Sequence, residues 1–275
     1  MVRIGHALAP LLLGVHVLLR IASLESNFFI DLILFHTISL VAAVSIFTFL
    51  EFKDRIARIT LGAAIVLWSV GSILSTYNEF FSSPQINSAV ANTFYVLFYP
   101  CAFIAIPRTL RTRGKRGSLE ILDATILCLG LSAIGAAFLI DPVLPYSLDR
   151  LPETFISIFF PVADLVLVAL VLALTLISPL TPQSASITLG IVIFLIADFL
   201  FLWLNVNHRY SLGTLSDDLW LLGIVVLAQG LRLRGAKQTL VGTIHPLFVA
   251  LSVMMSATLL SITSLHPGYF PDFIL

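Results

Sequence analysis

Hydrophobic residues run in blocks along nearly the whole chain, and short polar segments separate these blocks. A helix rises about 1.5 Å per residue, so a block of about 20 residues crosses a hydrocarbon core of roughly 30 Å. Lipid offers no partner to an open backbone, and the blocks lack the alternation of an outer-membrane strand. The pattern therefore predicts an all-α, polytopic transmembrane helix bundle. The predicted spans are residues 4–24, 28–50, 56–77, 88–109, 119–140, 154–177, 185–206, 217–235 and 241–263, nine in all, with a tenth starting near 270.

Composition agrees with a membrane protein. The chain of 275 residues is 59% hydrophobic and 11% charged, with a mean hydropathy of +1.04, whereas a soluble domain has roughly 25% charged residues. The longest polar segments, "DPVLPYSLDRLPET" and "RTRGKRGSLE", are too short to bury a core. We therefore predict one membrane domain over residues 1–275, in contact with the lipid bilayer and without a soluble domain. Phosphate-loop, nucleophile-elbow and zinc-ligand motifs do not occur, so we expect no catalytic residue, metal, cofactor or nucleic-acid partner in this chain.

Charges are distributed unequally between alternate segments. Twelve of the fifteen basic residues fall on one side: Arg3, Lys53, Arg55, Arg58, Arg108, Arg111, Arg113, Lys115, Arg116, Arg232, Arg234 and Lys237. The other side holds Glu25, Glu79, Asp141, Asp149, Asp217 and Asp218, with Arg150 and Arg209. The positive-inside rule then predicts a multi-pass protein of a bacterial inner membrane with a cytoplasmic N-terminus. Arg20 and Glu25 stand where a signal-peptide cleavage site would lie, so we expect the first span to be retained.

An internal repeat is a further expectation. The segments "ITLGAAIVL" at 59–67 and "ITLGIVIFL" at 187–195 match at six of nine positions, 128 residues apart. The same offset places the fourth span on the eighth and the fifth on the ninth. The pattern indicates a parallel four-helix duplication with the first span outside it.

Two carboxylates lie deep within predicted spans. Asp164 is roughly 15 Å and Asp198 roughly 12 Å from the acidic side, on consecutive antiparallel helices. A charge at that depth costs about 2.5 to 3.5 kcal/mol, so each needs polar partners, and Arg20, His16 and His36 are candidates, with Thr37 and Ser39. One interpretation is a shared pocket for a ligand or a proton, open to the acidic side. The alternative is a structural polar cluster that fixes helix register, or two protonated acids bound to their neighbours.

The histidines and aromatic residues are weaker evidence. His16, His36 and His245 lie in three spans, and two facing imidazoles are able to hold a haem. They lack a ligand spacing such as an i, i+4 pair, so helix packing is the favoured interpretation. Trp220 and Tyr210 are assigned to the aromatic belt at the membrane surface.

Four segments carry a resemblance to a known family. They are "LDATILCLGLSAIGAAFLIDPVL", "FFPVADLVLVALVLAL", "LGIVIFLIADFLFLWL" and "YSLGTLSDDLWLLGIVVLAQGLRL". This order resembles the multi-span N-terminal region of bacterial, particularly actinobacterial, GGDEF and EAL proteins, which are diguanylate cyclases and cyclic-di-GMP phosphodiesterases. The resemblance covers about residues 90–235 and rests on Pro161–Leu165, on Ala197 and Asp198, and on Asp217–Trp220. In that family the region is a sensory input, and the catalytic domains follow in the cytoplasm.

The chain departs from that family in several places. It stops at Leu275 without a GGDEF or EAL sequence, Phe159 and Phe160 replace an expected tyrosine, and the 229–233 segment replaces a histidine-proline ending. The chain is then an isolated or truncated sensor, or a relative that lost its output domain. The resemblance implies an input module for a cytoplasmic signalling domain, responding to a small ligand or to the membrane state, with a homodimer allowed. A small-solute transporter is the competing class.

Overall fold

Helices make up all the regular secondary structure in the part of the chain that the structure describes. The computed structural model describes residues 4–22, 26–81, 83, 86–110, 126, 130, 151–176 and 181–233. Its helices are α1 (Ile4–Ala22), a π-helical segment (Phe28–Leu34), α2 (Phe35–Phe47), α3 (Arg55–Phe80), α4 (Ser88–Thr109), α5 (Leu151–Leu176), α6 (Pro182–Val206) and α7 (Leu215–Gly230). The all-α prediction is confirmed for these residues.

Polar residues between the apolar blocks determine where the helices begin. The side chains of Asn27, Asp54 and Asn87 accept hydrogen bonds from backbone N–H groups two or three residues ahead. Helix α6 begins with a capping box between Thr181 and Ser184. Each cap satisfies N–H groups that the first helical turn leaves without a partner. The predicted spans at 28–50, 56–77, 88–109 and 185–206 consequently lie within three residues of the observed helices.

Within the described ranges, four helices are long and apolar enough to cross a membrane. They are Phe28–Phe47, Arg55–Phe80, Ser88–Thr109 and Pro182–Asn205. The predicted spans 1, 6 and 8 are also helical, but their described apolar portions are shorter: Ala7–Ala22 in α1, Ala163–Thr175 in α5, and the 16 residues of α7. The predicted span at 241–263 and the tenth span lie outside the described residues, and so does the predicted span at 119–140 apart from residues 126 and 130. The structure thus supports a membrane protein with four candidate spans, while the count of nine stays a prediction.

The chain divides into two compact units. The first contains α1 to α4, α6 and α7, and the second contains α5. In the first unit α3 packs against α4, α6 packs against α7, and α2 contacts both α3 and α7. Helix α1 lies against α2 and α7. Helix α2 therefore joins the two helix pairs of this unit.

Helices α6 and α7 approach closely because glycines face each other. A Cβ atom on Gly190 would lie 2.9 Å from the carbonyl oxygen of Gly223, and one on Gly223 would lie 2.9 Å from the carbonyl oxygen of Gly190. The Ser186 hydroxyl adds a hydrogen bond of 3.1 Å to the carbonyl of Val226. Small residues that allow backbone contact are typical of helix pairs in membranes.

The two ends of the first unit differ in charge. One end gathers Asp54, Arg58, Arg108 and Arg232 around the C-terminus of α2. The other end gathers the C-terminus of α1, the π-helical segment and the start of α7. Arg58, Arg108 and Arg232, which come from three different predicted loops or helix ends, thus lie at the same end of this unit. Which end faces the cytoplasm stays a prediction.

The predicted duplication gains no support from its best-matching residues. Gly62 and Gly190 occupy equivalent positions in the two matching segments. A Cβ atom on Gly62 would meet the Phe47 ring of the preceding helix, whereas Gly190 faces the following helix. The same residue type therefore makes a different contact in each segment.

Candidate functional site

A buried ion pair joins α1 to the π-helical segment. Nη2 of Arg20 lies 2.6 Å from Oδ1 of Asp31, and both side chains are at most 8% exposed. The second carboxylate oxygen of Asp31 accepts a hydrogen bond of 2.7 Å from the Asn27 backbone N–H. Removing two charges from water is costly unless they are paired and hydrogen-bonded. The pair therefore holds α1 and the start of α2 in a defined relation.

The π-helical segment presents Asp31 to this arginine. Its last turn closes with a bond from the Phe35 N–H to the Ile30 carbonyl, five residues back. Phe35 then opens α2 without an intervening loop. Wide turns of this kind are rare and occur frequently at functional sites. A change in the position of Asp31 therefore also moves the start of α2.

The α6–α7 loop covers Arg20. Gly213 has φ of +84°, and a Cβ atom there would overlap the Arg20 guanidinium. Only glycine adopts this backbone freely, and only glycine leaves room for the side chain beneath it. The Gly213 N–H donates to Asp217 Oδ2 at 2.6 Å, and the Tyr210 hydroxyl donates to Oδ1 at 3.1 Å. Burial, followed by the negative charge of Asp217, raises the pKa of Tyr210, so the phenol keeps the proton it donates.

A second polar contact links α1 to the start of α7. Nε2 of His16 lies 3.0 Å from Oδ1 of Asp218, and His16 is 1% exposed. A carboxylate only accepts hydrogen bonds, so Nε2 carries the proton. His16 and Arg20 are four residues apart and share one face of α1, while Leu11, Leu18 and Ile21 on other faces are exposed. We call His16, Arg20, Asp31, Tyr210, Gly213, Asp217 and Asp218 the acidic-end cluster.

Asp198 has a partner of its own. Its Oδ1 accepts a hydrogen bond of 3.0 Å from Trp220 Nε1, between α6 and α7. Trp220 packs edge-on against Trp68 with ring centroids 6.0 Å apart. Trp68 also packs edge-on against Phe194 and at a tilt against Phe35. Aromatic packing therefore extends from Asp198 to α2 and α3.

His36 lies between α2 and α3. Its Nδ1 is 2.7 Å from the Leu32 carbonyl and its Nε2 is 3.0 Å from the Ser72 hydroxyl. The carbonyl is an acceptor, so Nδ1 donates, and in the neutral ring Nε2 accepts from Ser72. A neighbouring bond joins the Ser69 and Ser39 hydroxyls at 2.9 Å. These contacts fit the helix-packing interpretation of His36.

The shared pocket of Asp164 and Asp198 stays a prediction. Asp164 is 2% exposed, but it lies in the second unit and Asp198 in the first. The candidate partners Arg20, His16 and His36 have the contacts described above, and Thr37 donates to the Ile33 carbonyl. His245 lies outside the described residues. Trp220 and Tyr210, assigned to an aromatic belt, each donate to a carboxylate in the protein.

Sequence reasoning missed Asp31 as a partner for Arg20. The residue lies four positions into a predicted span, in "FFIDLIL", where it reads as an isolated polar residue. A usable signal was present, since a buried arginine near the end of one span needs a carboxylate near the start of the next. Sequence reasoning identifies Asp217 and Asp218 as charges of the acidic side and as part of the motif at 217–220, but not as partners of Tyr210 and His16.

Comparisons with known proteins do not extend these observations. The chain matches no protein-family model, no curated protein and no solved structure. Among the described residues, no group of three or more His, Cys, Asp or Glu side chains is placed to hold a metal ion. The acidic-end cluster is therefore interpreted from its contacts alone. It joins α1, the π-helical segment and α7 through charges that a ligand, a proton or a change in packing is able to disturb.

Proposed function

We propose that this protein is the membrane-embedded sensory input module of a bacterial signalling protein. In this proposal the chain spans the inner membrane nine times and begins a tenth span, with a cytoplasmic N-terminus. The output is a cytoplasmic domain that makes or hydrolyses cyclic-di-GMP, as the family resemblance implies. The observation that carries the proposal is the Arg20–Asp31 pair on a π-helical segment continuous with α2.

The acidic-end cluster supplies the stimulus-sensitive part. A ligand, or a change in the membrane that moves α1, competes for Arg20 or Asp31 and weakens their ion pair. The π-helical segment then loses the contact that favours its wide turns and converts to an α-helix. A register change of one residue rotates the following helix by about 100°. Helix α2 is thereby a two-state element that the stimulus biases.

The far end of α2 supplies the transmission. Arg58 donates to the Phe49 carbonyl at 3.2 Å, and Arg232 donates to the Ser45 carbonyl at 2.8 Å. Rotation of α2 alters both contacts, and Arg232 directly follows α7. In this proposal the change continues from α7 along the chain toward the output domain.

Cysteine labelling tests the rotation. The Val44 side chain is 57% exposed, whereas the neighbouring Ala43 is 0% exposed. In a background without Cys101 and Cys128, we expect a small maleimide to label Val44→Cys and to spare Ala43→Cys. Adding Asp31→Asn should make Ala43→Cys reactive, while the control Asp54→Asn should leave the pattern unchanged. Protection of Ala43→Cys in both backgrounds contradicts the rotation.

A fusion tests the signalling role. Residues 1–275 are joined to a diguanylate cyclase domain, and cyclic-di-GMP is measured in cells that lack their own cyclases. We expect Asp31→Asn and Arg20→Gln to change the cyclic-di-GMP level several-fold at equal membrane abundance, and Asp54→Asn to have no effect. Equal output from all four proteins would argue against a sensor.

The transporter alternative has less support. A polar solute needs a hydrated path between the helix pairs. The described cavity between α3, α4, α6 and α7 has a volume of about 20 Å³ and is bounded by apolar side chains, including Phe98 and Phe194, and by Gly190 and Gly223. An apolar cavity of this size has room for about one water and no partner for it. This cavity therefore favours packing over transport.

A further inference from the structure

Two guanidinium groups lie at the C-terminus of α2, and they have more hydrogen-bond donors than the described residues have acceptors for them. Arg232 donates from Nη2 to the Ser45 carbonyl and stacks over the Phe49 ring at 5.1 Å, and Arg58 donates from Nη1 to the Phe49 carbonyl. Nε of Arg58, and Nε and Nη1 of Arg232, are buried and have no hydrogen-bond partner among the described residues. A buried donor without an acceptor is costly. These three donors therefore call for an acceptor from outside the described chain.

The charge at this end is also in excess. Among the described residues at this end, the five basic side chains Lys53, Arg55, Arg58, Arg108 and Arg232 outnumber the two acidic ones, Glu51 and Asp54, by three. Asp54 is already engaged, since its Oδ2 lies 3.1 Å from Nη2 of Arg108. Neither Arg58 nor Arg232 has an ion pair in the described structure. The missing acceptor is therefore expected to be anionic.

The position of the site identifies the kind of anion. Helix α2 ends at Phe47, α3 begins at Arg55, α4 ends at Thr109 and α7 ends at Gly230. The ends of membrane-spanning helices lie at the level of the lipid headgroups. Arginine binds phosphate through several N–H groups at once, and each basic residue near an anionic membrane surface adds about 1 kcal/mol. The anion most concentrated at this level is a lipid phosphodiester.

We propose that Arg58 and Arg232 form a binding site for the phosphodiester headgroup of an anionic membrane lipid, at the C-terminal end of α2. The lipid phosphate accepts hydrogen bonds from the guanidinium nitrogens that have no partner among the described residues. Phe49 holds the Arg232 side chain beside this site. Lipid binding here needs neither a stimulus nor an output domain, although Arg58 and Arg232 are also the residues that the proposed rotation of α2 would move.

Native mass spectrometry of the full chain, released from nanodiscs, tests the site. The discs contain phosphatidylcholine with or without phosphatidylglycerol, and the measured quantity is the fraction of chains carrying phosphatidylglycerol. We expect Arg58→Gln and Arg232→Gln each to weaken this binding roughly fivefold, the equivalent of about 1 kcal/mol. The matched control is Arg55→Gln, which removes the same charge at an exposed position of the same end and should leave binding within about twofold of the unmodified chain.

Equal weakening by all three variants would mean diffuse attraction to the surface and would overturn the site. Displacement of phosphatidylglycerol by excess inorganic phosphate would show that free phosphate is the ligand and would overturn the lipid assignment. If Arg232→Gln fails to fold, Arg232→Lys replaces it, since lysine keeps the charge and loses the planar set of donors. Weaker binding by Arg232→Lys supports the site, and unchanged binding contradicts it.

Discussion

The buried Arg20–Asp31 pair is the contact whose loss should cost most. Removing one partner of a buried ion pair leaves the other charge uncompensated, at a cost of about 3–5 kcal/mol. Both side chains are at most 8% exposed, so water cannot replace the missing partner. We expect Asp31→Asn and Arg20→Gln each to lower the free energy of unfolding by about that amount, as measured by detergent-induced unfolding of the purified chain.

The control for this prediction is the partly exposed pair of Arg108 and Asp54, whose side chains are 37% and 26% exposed. Exposed ion pairs contribute about 0–1 kcal/mol to the free energy of unfolding, so breaking this pair should cost far less than breaking the Arg20–Asp31 pair. Removing both buried charges together, in Arg20→Met with Asp31→Leu, should recover much of the lost stability, because neither charge then remains unpaired. If the double variant is as unstable as the sum of the single ones, the pair is not the cause.

Gly213 should be required for the position of Arg20. Alanine at φ of +84° is strained, and its Cβ atom would overlap the guanidinium. We expect Gly213→Ala to lower the free energy of unfolding by about 2 kcal/mol or more. In an Arg20→Ala background only the backbone strain remains, so the same substitution should cost about 1 kcal/mol. A double-mutant cycle by detergent unfolding measures the difference, and equal costs in the two backgrounds would show that the overlap does not matter.

At the scale of the helix, the α6–α7 pair depends on close backbone contact. Valine at Gly190 or Gly223 would push the two helices apart, because a Cβ atom at either position already meets backbone at 2.9 Å. We expect a loss of about 1–3 kcal/mol for each substitution. Gly14 is the matched control, since a Cβ atom there meets nothing within 4 Å. Gly14→Ala should be neutral or stabilising, by up to about 1 kcal/mol. Thermal unfolding in detergent measures all three variants.

The contact between the start of α3 and the end of α4, made by Asp54 and Arg108, should depend on pH. Burial is the largest single effect and raises the pKa of Asp54, but the hydrogen bonds from the Ala57 N–H and the Arg108 guanidinium, with the charge of Arg108, together outweigh it and leave the pKa below 3.8. A carboxyl whose pKa is lowered by folding stabilises the fold above its unfolded pKa and loses that contribution as the pH falls through the folded pKa. We expect Asp54→Asn, which keeps a capping side chain, to lower stability by up to about 1 kcal/mol at neutral pH. The difference from the unmodified chain should disappear well below pH 3.8, and a constant difference would contradict the ion pair.

The helices and the residues at which they begin are predictable from the sequence, because both depend on residues that are close together in the chain. The caps Asn27, Asp54 and Thr181 directly precede apolar blocks, so boundaries are predictable from the chain itself. The contacts of the acidic-end cluster, in contrast, are not predictable from neighbouring residues. The Arg20–Asp31 contact depends on a π-helical segment and on a glycine more than 180 residues further along the chain. No local propensity specifies such a distant contact, so Asp31 reads as one more polar residue in an apolar block.

At the scale of the molecule, the separation of charge should decide orientation. The loop between α2 and α3 lies at the basic end of the first unit, and the loop between α6 and α7 lies at the acidic end. Basic residues retain a segment in the cytoplasm. We expect a reporter fused after Phe52 to be cytoplasmic and one fused after Asn207 to face the other side.

The prediction of membrane orientation also applies to the segments on either side of residues 119–140. Reporters placed after Arg113 and after Arg150 should lie on opposite sides, because the predicted span at 119–140 separates them and Arg113 belongs to the basic set. Replacing Arg111, Arg113, Lys115 and Arg116 by glutamine should weaken or invert the orientation of this part, since short loops follow their basic residues. The paired reporters of the first unit serve as the internal control, because that unit loses only Arg111 and keeps its other basic residues. If the reporters after Arg113 and Arg150 give the same side, residues 119–140 do not cross the membrane and the count of nine spans is wrong.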